Sequence, residues 1–272
     1  MDSTTPVRAA RSRRAPGAGR RTPRVTFTGV LGELLITAGL VLLLFVAWEL
    51  WWTNLEADRR QDTVAEQLLR GFDDVRVPGL PAGERLDPAA EAARDRAEFG
   101  DPPIAVLPHA GATFGVMYVP RFGADYARPV TDGVGPEVLD HLGIGRYPQT
   151  QMPGELGNFG VAAHRQTHGQ VFWDIDKLTD GDRLYVQTAE GFYQYAYRST
   201  EIVHPSQGEV LLPVPHQPGV EPTTSLLTLT SCDPPFTTRM RIIAYAELES
   251  FRPAATGPQQ AIADVVESTR GD

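Results

Sequence analysis

Hydrophobic positions along the chain follow three regimes. Between residues 25 and 52 they are almost continuous: VTFTGVLGELLITAGLVLLLFVAWELWW carries charge only at Glu33 and Glu49, near its two ends. A helix crossing a hydrocarbon layer needs about 20 apolar residues, so this run predicts a transmembrane segment. Trp48, Trp51 and Trp52 crowd its second end, where indole rings favour the level of the lipid headgroups.

From 53 to 104 the apolar positions thin out. NLEADRRQDTVAEQLLRGF has helix-forming composition with Leu and Val at mixed spacing, and VPGLPAGERLDPAAEAARDRAEFGDPP is rich in Pro, Gly, Ala and charge. Such composition buries too little apolar surface to fold alone, so the segment reads as a stalk. The stretch 251–272 reads in the same way, as a flexible tail in which AIADVV forms at most a short helix.

Between them, 105–250 is of ordinary domain size and dense in strand signals. Candidate strands lie at 114–119, 159–163, 183–188, 192–198, 226–231 and 241–248. FYQYAYRS places aromatic residues at period two, and Gly181-Asp182 and Glu190-Gly191 supply turns. Helical pattern is confined to PEVLDHLG and VFWDIDKL, and 204–224, with five prolines, reads as a surface loop. The expectation is an all-β domain, mostly antiparallel and closed into a barrel, since closure removes exposed edges.

Charge then sets the topology. Residues 1–24 hold seven arginines against Asp2, which by the positive-inside rule keeps this arm cytoplasmic and puts everything after the span outside the cell. A cleaved signal peptide would have a shorter apolar core and small residues at its cleavage site; Glu-Leu-Trp-Trp stands there instead, so the span is read as an uncleaved anchor. The whole chain carries −9, and without the arm about −15. An acidic exterior domain is a poor partner for nucleic acid, which is bound through Lys and Arg on phosphate.

Cys232 is the single cysteine, so no internal disulfide is possible. An unpaired exported thiol is a reactive group, an intermolecular partner or a small packed hydrophobe. A nucleophilic thiol needs a proton donor for the leaving group and a charge to hold an oxyanion. Among six histidines, only His164 ends a well-formed apolar strand, in GNFGVAAHRQTHG; His109, His141, His204 and His216 fall in loops or a short helix, where a solvated role is expected. His164 and His168 are four apart, but Arg-Gln-Thr between them implies a loop. No acidic third ligand lies nearby in sequence, so no metal site or cofactor is expected. Asp174 and Asp176 are read as solvated. Cys232 also ends a strand, LLTLTS, before Asp-Pro-Pro, and Arg239 and Arg241 are expected to open the next strand on one shared face.

These residues resemble the sortases, membrane-anchored cysteine transpeptidases of Gram-positive bacteria. Thr228-Leu229-Thr230-Ser231-Cys232 followed by Arg241 is similar to the family's Thr-Leu-x-Thr-Cys and following arginine, with Ser231 in place of the usual threonine. Asn158 to Arg165 is similar to its histidine strand. Pro153 to Asn158 and Gly181-Asp182 resemble the actinobacterial class E branch. The likeness runs from about Gly115 to Leu248 and implies an eight-stranded sortase-type barrel. It also implies Cys232 as nucleophile, His164 as acid and base, Arg241 as oxyanion stabiliser, and Thr230, Ser231 and Arg239 as substrate-binding residues. The implied substrates are secreted proteins with a C-terminal Leu-Ala/Pro-x-Thr-Gly signal, and the acceptor is an amine of lipid II or a pilin lysine. A hydrolysing thiol peptidase and a non-catalytic wall-binding barrel are the alternatives. The region around Tyr118 and the 204–224 loop are where signal preference would be set.

Overall fold

A computed structural model describes residues 26–72 and 86–271. The basic arm at 1–24 and the part of the stalk at 73–85 lie outside the described residues. The chain divides into two compact units, Met1–Ala47 and Trp48–Asp272.

In the first unit the described residues form the apolar part of helix α1, Phe27–Gly71. Its large side chains are bare, with Ile36 74% and Leu43 69% exposed. Bare Leu and Ile along a helix suit lipid, and this is the one helix among the described residues long and apolar enough to cross a membrane. The sortase-like expectation of a membrane anchor thus has a matching element.

Within the second unit α1 changes character. Ala57, Gln61, Ala65 and Leu69 are all buried, a stripe at every fourth residue that presents one helical face. Ala65 and Leu69 pack on Val116, Tyr118 and Ala127 of the barrel.

The stalk is not a free linker at its far end either. Helix α2, Pro88–Phe99, starts with Asp87, whose carboxylate accepts from the amides of Ala89 and Ala90, an N-cap followed by proline in the first turn. Its buried Glu91 and Asp95 meet Arg252 Nη2 at 2.9 and 2.6 Å. Burial raises the Asp95 carboxyl above its usual range despite that arginine.

The barrel comprises β1 Thr113–Tyr118, β2 Ala127–Asp132, β3 Ile144–Arg146, β4 Gly157–Ala162, β5 Arg183–Gln187, β6 Gly191–Val203, β7 Ser225–Asp233 and β8 Met240–Pro253. They close in the order β1-β2-β3-β4-β7-β8-β6-β5. Antiparallel pairing dominates, but β2 with β3 and β4 with β7 run parallel, so the sheet is mixed rather than simply antiparallel. Strands β2 and β3 escape sequence reading for local reasons. Pro129 interrupts β2 and removes a ladder donor, while β3 is only IGR. Gly145 is needed there, since a Cβ would sit 2.3 Å from the Gly133 carbonyl oxygen.

Side-chain parity separates inside from outside. Phe159, Val161 and Ala163, Leu227 and Leu229, and Ile242, Ala244 and Ala246 share the barrel core. The alternate residues of β4, β7 and β8 therefore point to the outer wall.

The C-terminal stretch, expected to be a flexible tail, also docks. Helix α4, Ala263–Arg270, buries Val265 and Val266 with Ile262 against Tyr118, Tyr185 and Phe192. Its anchor is a handful of apolar residues spaced for one helical face, too few to stand out in sequence.

Candidate active site

The outer wall at the ends of β4, β7 and β8 holds the chemistry-bearing residues. Parallel pairing puts Ala162 beside Thr230, and the amide of Ala163 still donates to the Thr230 carbonyl at 3.3 Å. Two residues further along each strand direction are His164, just past the end of β4, and Cys232, next to last in β7, so both stand at the same rim. Cys232 is half-buried.

Strand β8 returns antiparallel, and its register sets Arg241 directly opposite Cys232. Arg241 Nη1 donates to the carbonyls of Thr238 and Met240, at 3.2 and 3.0 Å. The expectation that Arg239 shares the start of this strand is corrected: β8 begins at Met240, leaving Arg239 exposed in the preceding turn. Asp-Pro-Pro and the turn after it postpone pairing beyond Arg239.

His164 does not stand alone. Its Nε2 lies 2.6 Å from Oδ1 of Asp140, which ends the short helix α3, Pro136–Leu139. His168 stacks obliquely on His164 with ring centroids 4.8 Å apart, and its Nδ1 is 3.8 Å from the same carboxylate oxygen. Burial holds the His168 imidazole below its usual pKa; Asp140 opposes this shift, and His164 and His141 reinforce it. His168 takes a left-handed backbone conformation, with φ of 51°.

Arg165 ties the two rims together. It is 3% exposed, donates from Nη1 to the Cys232 carbonyl at 3.4 Å and to the Asp233 carboxylate, and pairs through Nη2 with Asp176 at 3.0 Å. The residue after His164 thus grips the backbone of the candidate nucleophile. Asp176 is engaged here rather than merely solvated. Ser231 Oγ donates to the Ala163 carbonyl at 2.8 Å, and the Thr230 hydroxyl bonds that of Tyr147 at 3.0 Å. Both are buried, so these two hydroxyls fix the strand ends.

The 204–224 loop covers the neighbouring wall and contains one short helical turn, Gly208–Leu211. Asn158 of β4 holds it, donating from Nδ2 to the carbonyls of Val210 and Leu212 at 3.0 and 3.1 Å. Thr228 Oγ1 in turn donates to Asn158 Oδ1 at 2.7 Å. Val210 packs on Val203 and Ile243, and His216 Nε2 lies 2.6 Å from Glu201 of β6. His109, His141, His204 and His216 are exposed. A cleft of about 670 Å³, lined by Asp58, Arg128 and Thr269 among others, contains none of these residues.

The Sortase domain family model matches residues 117–249. Sortase SrtE2 of Streptomyces coelicolor is 34% identical over 260 residues, covering 91% of this chain and 93% of that protein.

The chain belongs to the sortase family.

Sortase SrtE1 of the same organism is 32% identical over 262 residues; these are 94% of this chain, which spans 65% of that longer protein. Among solved structures, a SrtA sortase from Actinomyces oris superposes with a TM-score of 0.57 at 36% identity, covering 59% of this chain and 93% of that one. Sortases are cysteine transpeptidases, and the eight-stranded closed barrel is theirs.

Asp140 and Arg165 are the site residues that sequence reading passes over. Asp140 lies in the PEVLDHLG segment, with nothing local to link it to a histidine 24 residues on. Arg165 had a signal, since it directly follows His164.

Proposed function

We propose that this sortase is a single-pass membrane enzyme, its basic arm cytoplasmic and its barrel outside the cell. It cleaves a Leu-Ala-x-Thr-Gly or Leu-Pro-x-Thr-Gly signal between Thr and Gly and passes the new acyl group to an amine. The observation that carries this reading is the register that sets Cys232 opposite Arg241 while β4, the parallel neighbour of β7, ends two residues before His164.

In this mechanism the Cys232 thiolate attacks the threonine carbonyl carbon. A C–S bond forms and the carbonyl pair moves to oxygen. The Arg241 guanidinium stabilises that oxyanion, where a preorganised donor acts most strongly. Collapse breaks the C–N bond as His164 gives its proton to the departing glycine amine, leaving a thioester. An incoming amine, from lipid II or a pilin lysine, then attacks the thioester. His164 accepts the proton of that amine and Cys232 leaves as thiolate. Asp140, hydrogen-bonded to His164, orients the imidazole. Thr230 and Ser231 serve by holding the strand ends, and exposed Arg239 is free to meet substrate carboxylates.

Incubating the protein with such a peptide and triglycine tests the reading. A transpeptidation product supports it. Product released by water alone would point to a peptidase, and no cleavage with an inert thiol to a binding barrel.

A further inference from the structure

We propose that Asp140, His164 and His168 form a binding site for a divalent transition metal of the zinc class. Ligand atoms of the three lie within 4.8 Å of one another. Zinc places nitrogen and oxygen donors at about 2.0–2.2 Å in a tetrahedron, which sets donors roughly 3.3 Å apart. The contact of 2.6 Å between His164 Nε2 and Asp140 Oδ1 would open by less than about 1 Å to reach that spacing, and the 3.8 Å from His168 Nδ1 would close by about as little.

The deciding observation is His168. Its Nδ1 is buried without a hydrogen-bond partner, although a carboxylate oxygen lies just beyond bonding distance. A buried ring nitrogen left unpaired is costly, and a cation between it and Asp140 would satisfy both. The donors are also presented rather than floppy. The His168 carbonyl accepts from Gln61 Nε2 at 3.0 Å and the Gly169 amide donates to Asn54 Oδ1 at 3.1 Å, so α1 pins the turn that carries the ring. A cleft of about 190 Å³ opens beside Asp140 and His168, with Glu56 and Arg60 on its walls offsetting one another in charge. Two imidazoles and one carboxylate select zinc-like ions over calcium or magnesium, which prefer oxygen donors, and leave a fourth position for water.

The functional consequence rests on the transpeptidase reading: an ion on His164 withdraws it from proton transfer, so the enzyme is switched off by zinc. The site itself is tested without activity. Zinc is titrated by calorimetry into the full chain carrying Cys232→Ser, which removes the thiol as a competing ligand. One ion per chain is expected, with binding weakened at least about tenfold by adding either His168→Gln or Asp140→Asn. In the thiol-containing chain, zinc should stop transfer reversibly on chelation. His168→Gln should need about tenfold more zinc than the parent to be stopped, each measured against its own metal-free rate. Zinc binding that is indifferent to His168→Gln, or lost with Cys232→Ser, would overturn the site. Absence of transfer under every condition would fail the transpeptidase reading while calorimetry still decided the metal.

Discussion

Cys232 and Arg241 are direct cross-strand partners at the outer rim of the barrel, whereas Arg239 precedes the strand and is exposed. Arg241→Ala is therefore expected to lower the rate of peptide transfer by about 10²–10³, equivalent to about 2.7–4 kcal/mol, if it acts as an oxyanion donor. Arg239→Ala should change it only a few-fold. Steady-state kinetics of both variants separate the two arginines, and equal losses would contradict the assignment.

Arg165→Met removes the grip between the residue after His164 and the backbone of Cys232. Leaving Asp233 and a carbonyl short of a partner should cost about 1–3 kcal/mol, seen as a fall of several degrees in thermal midpoint, with transfer reduced as well. Asp176→Asn should be mild, because Asp176 is 55% exposed and water replaces its partner. Thermal melts of the two variants make the comparison.

Arg252→Met should release α2. Glu91 and Asp95 are 2% exposed at their side chains, and removing the cation that pairs with both leaves poorly compensated buried acids at about 3–5 kcal/mol. Hydrogen exchange should show α2 losing protection ahead of the barrel strands. Unchanged protection would mean that its apolar contacts alone hold it.

Glu201 gives a pH signature. Burial pushes its carboxyl up, but hydrogen bonds from Tyr245 and His216, together with the histidine's charge, outweigh burial and hold it below the usual range. The unfolded chain then binds the proton more readily. The stabilising contribution is complete above the unfolded carboxylate value of about 4.3 and disappears as pH falls through the lower folded value. Glu201→Gln should thus melt lower than the parent at pH 7 and lose less on acidification below about pH 4.3. Melts between pH 7 and pH 3 check both points.

How far the chain could be read depended on range. Strands β6 and β7 announce themselves by period-two apolar residues, and His164 and Cys232 by ending such strands. Local pattern does not reveal that β4 and β7 lie side by side and parallel, which is what brings those two ends together. Asp140 reaches His164 only through the fold, so the sequence-level conclusion that no acid stood near the histidines fails for a reason no spacing rule could detect. Helices α2 and α4 look like stalk and tail in the sequence because each docks through a few contacts, Arg252 with Glu91 and Asp95 in one case and Ile262 to Val266 in the other. Those contacts exist only once the barrel wall is in place.

The most direct test is to trap the acyl-enzyme. The protein is mixed with a Leu-Ala-x-Thr-Gly or Leu-Pro-x-Thr-Gly peptide without acceptor amine, quenched in acid and analysed by peptide mass spectrometry. The account predicts an added mass equal to the peptide up to its threonyl residue, held as a hydroxylamine-labile thioester on Cys232 and missing in Cys232→Ala. Cleavage between Thr and Gly that persists in Cys232→Ala, or an acyl group on another residue, would contradict it.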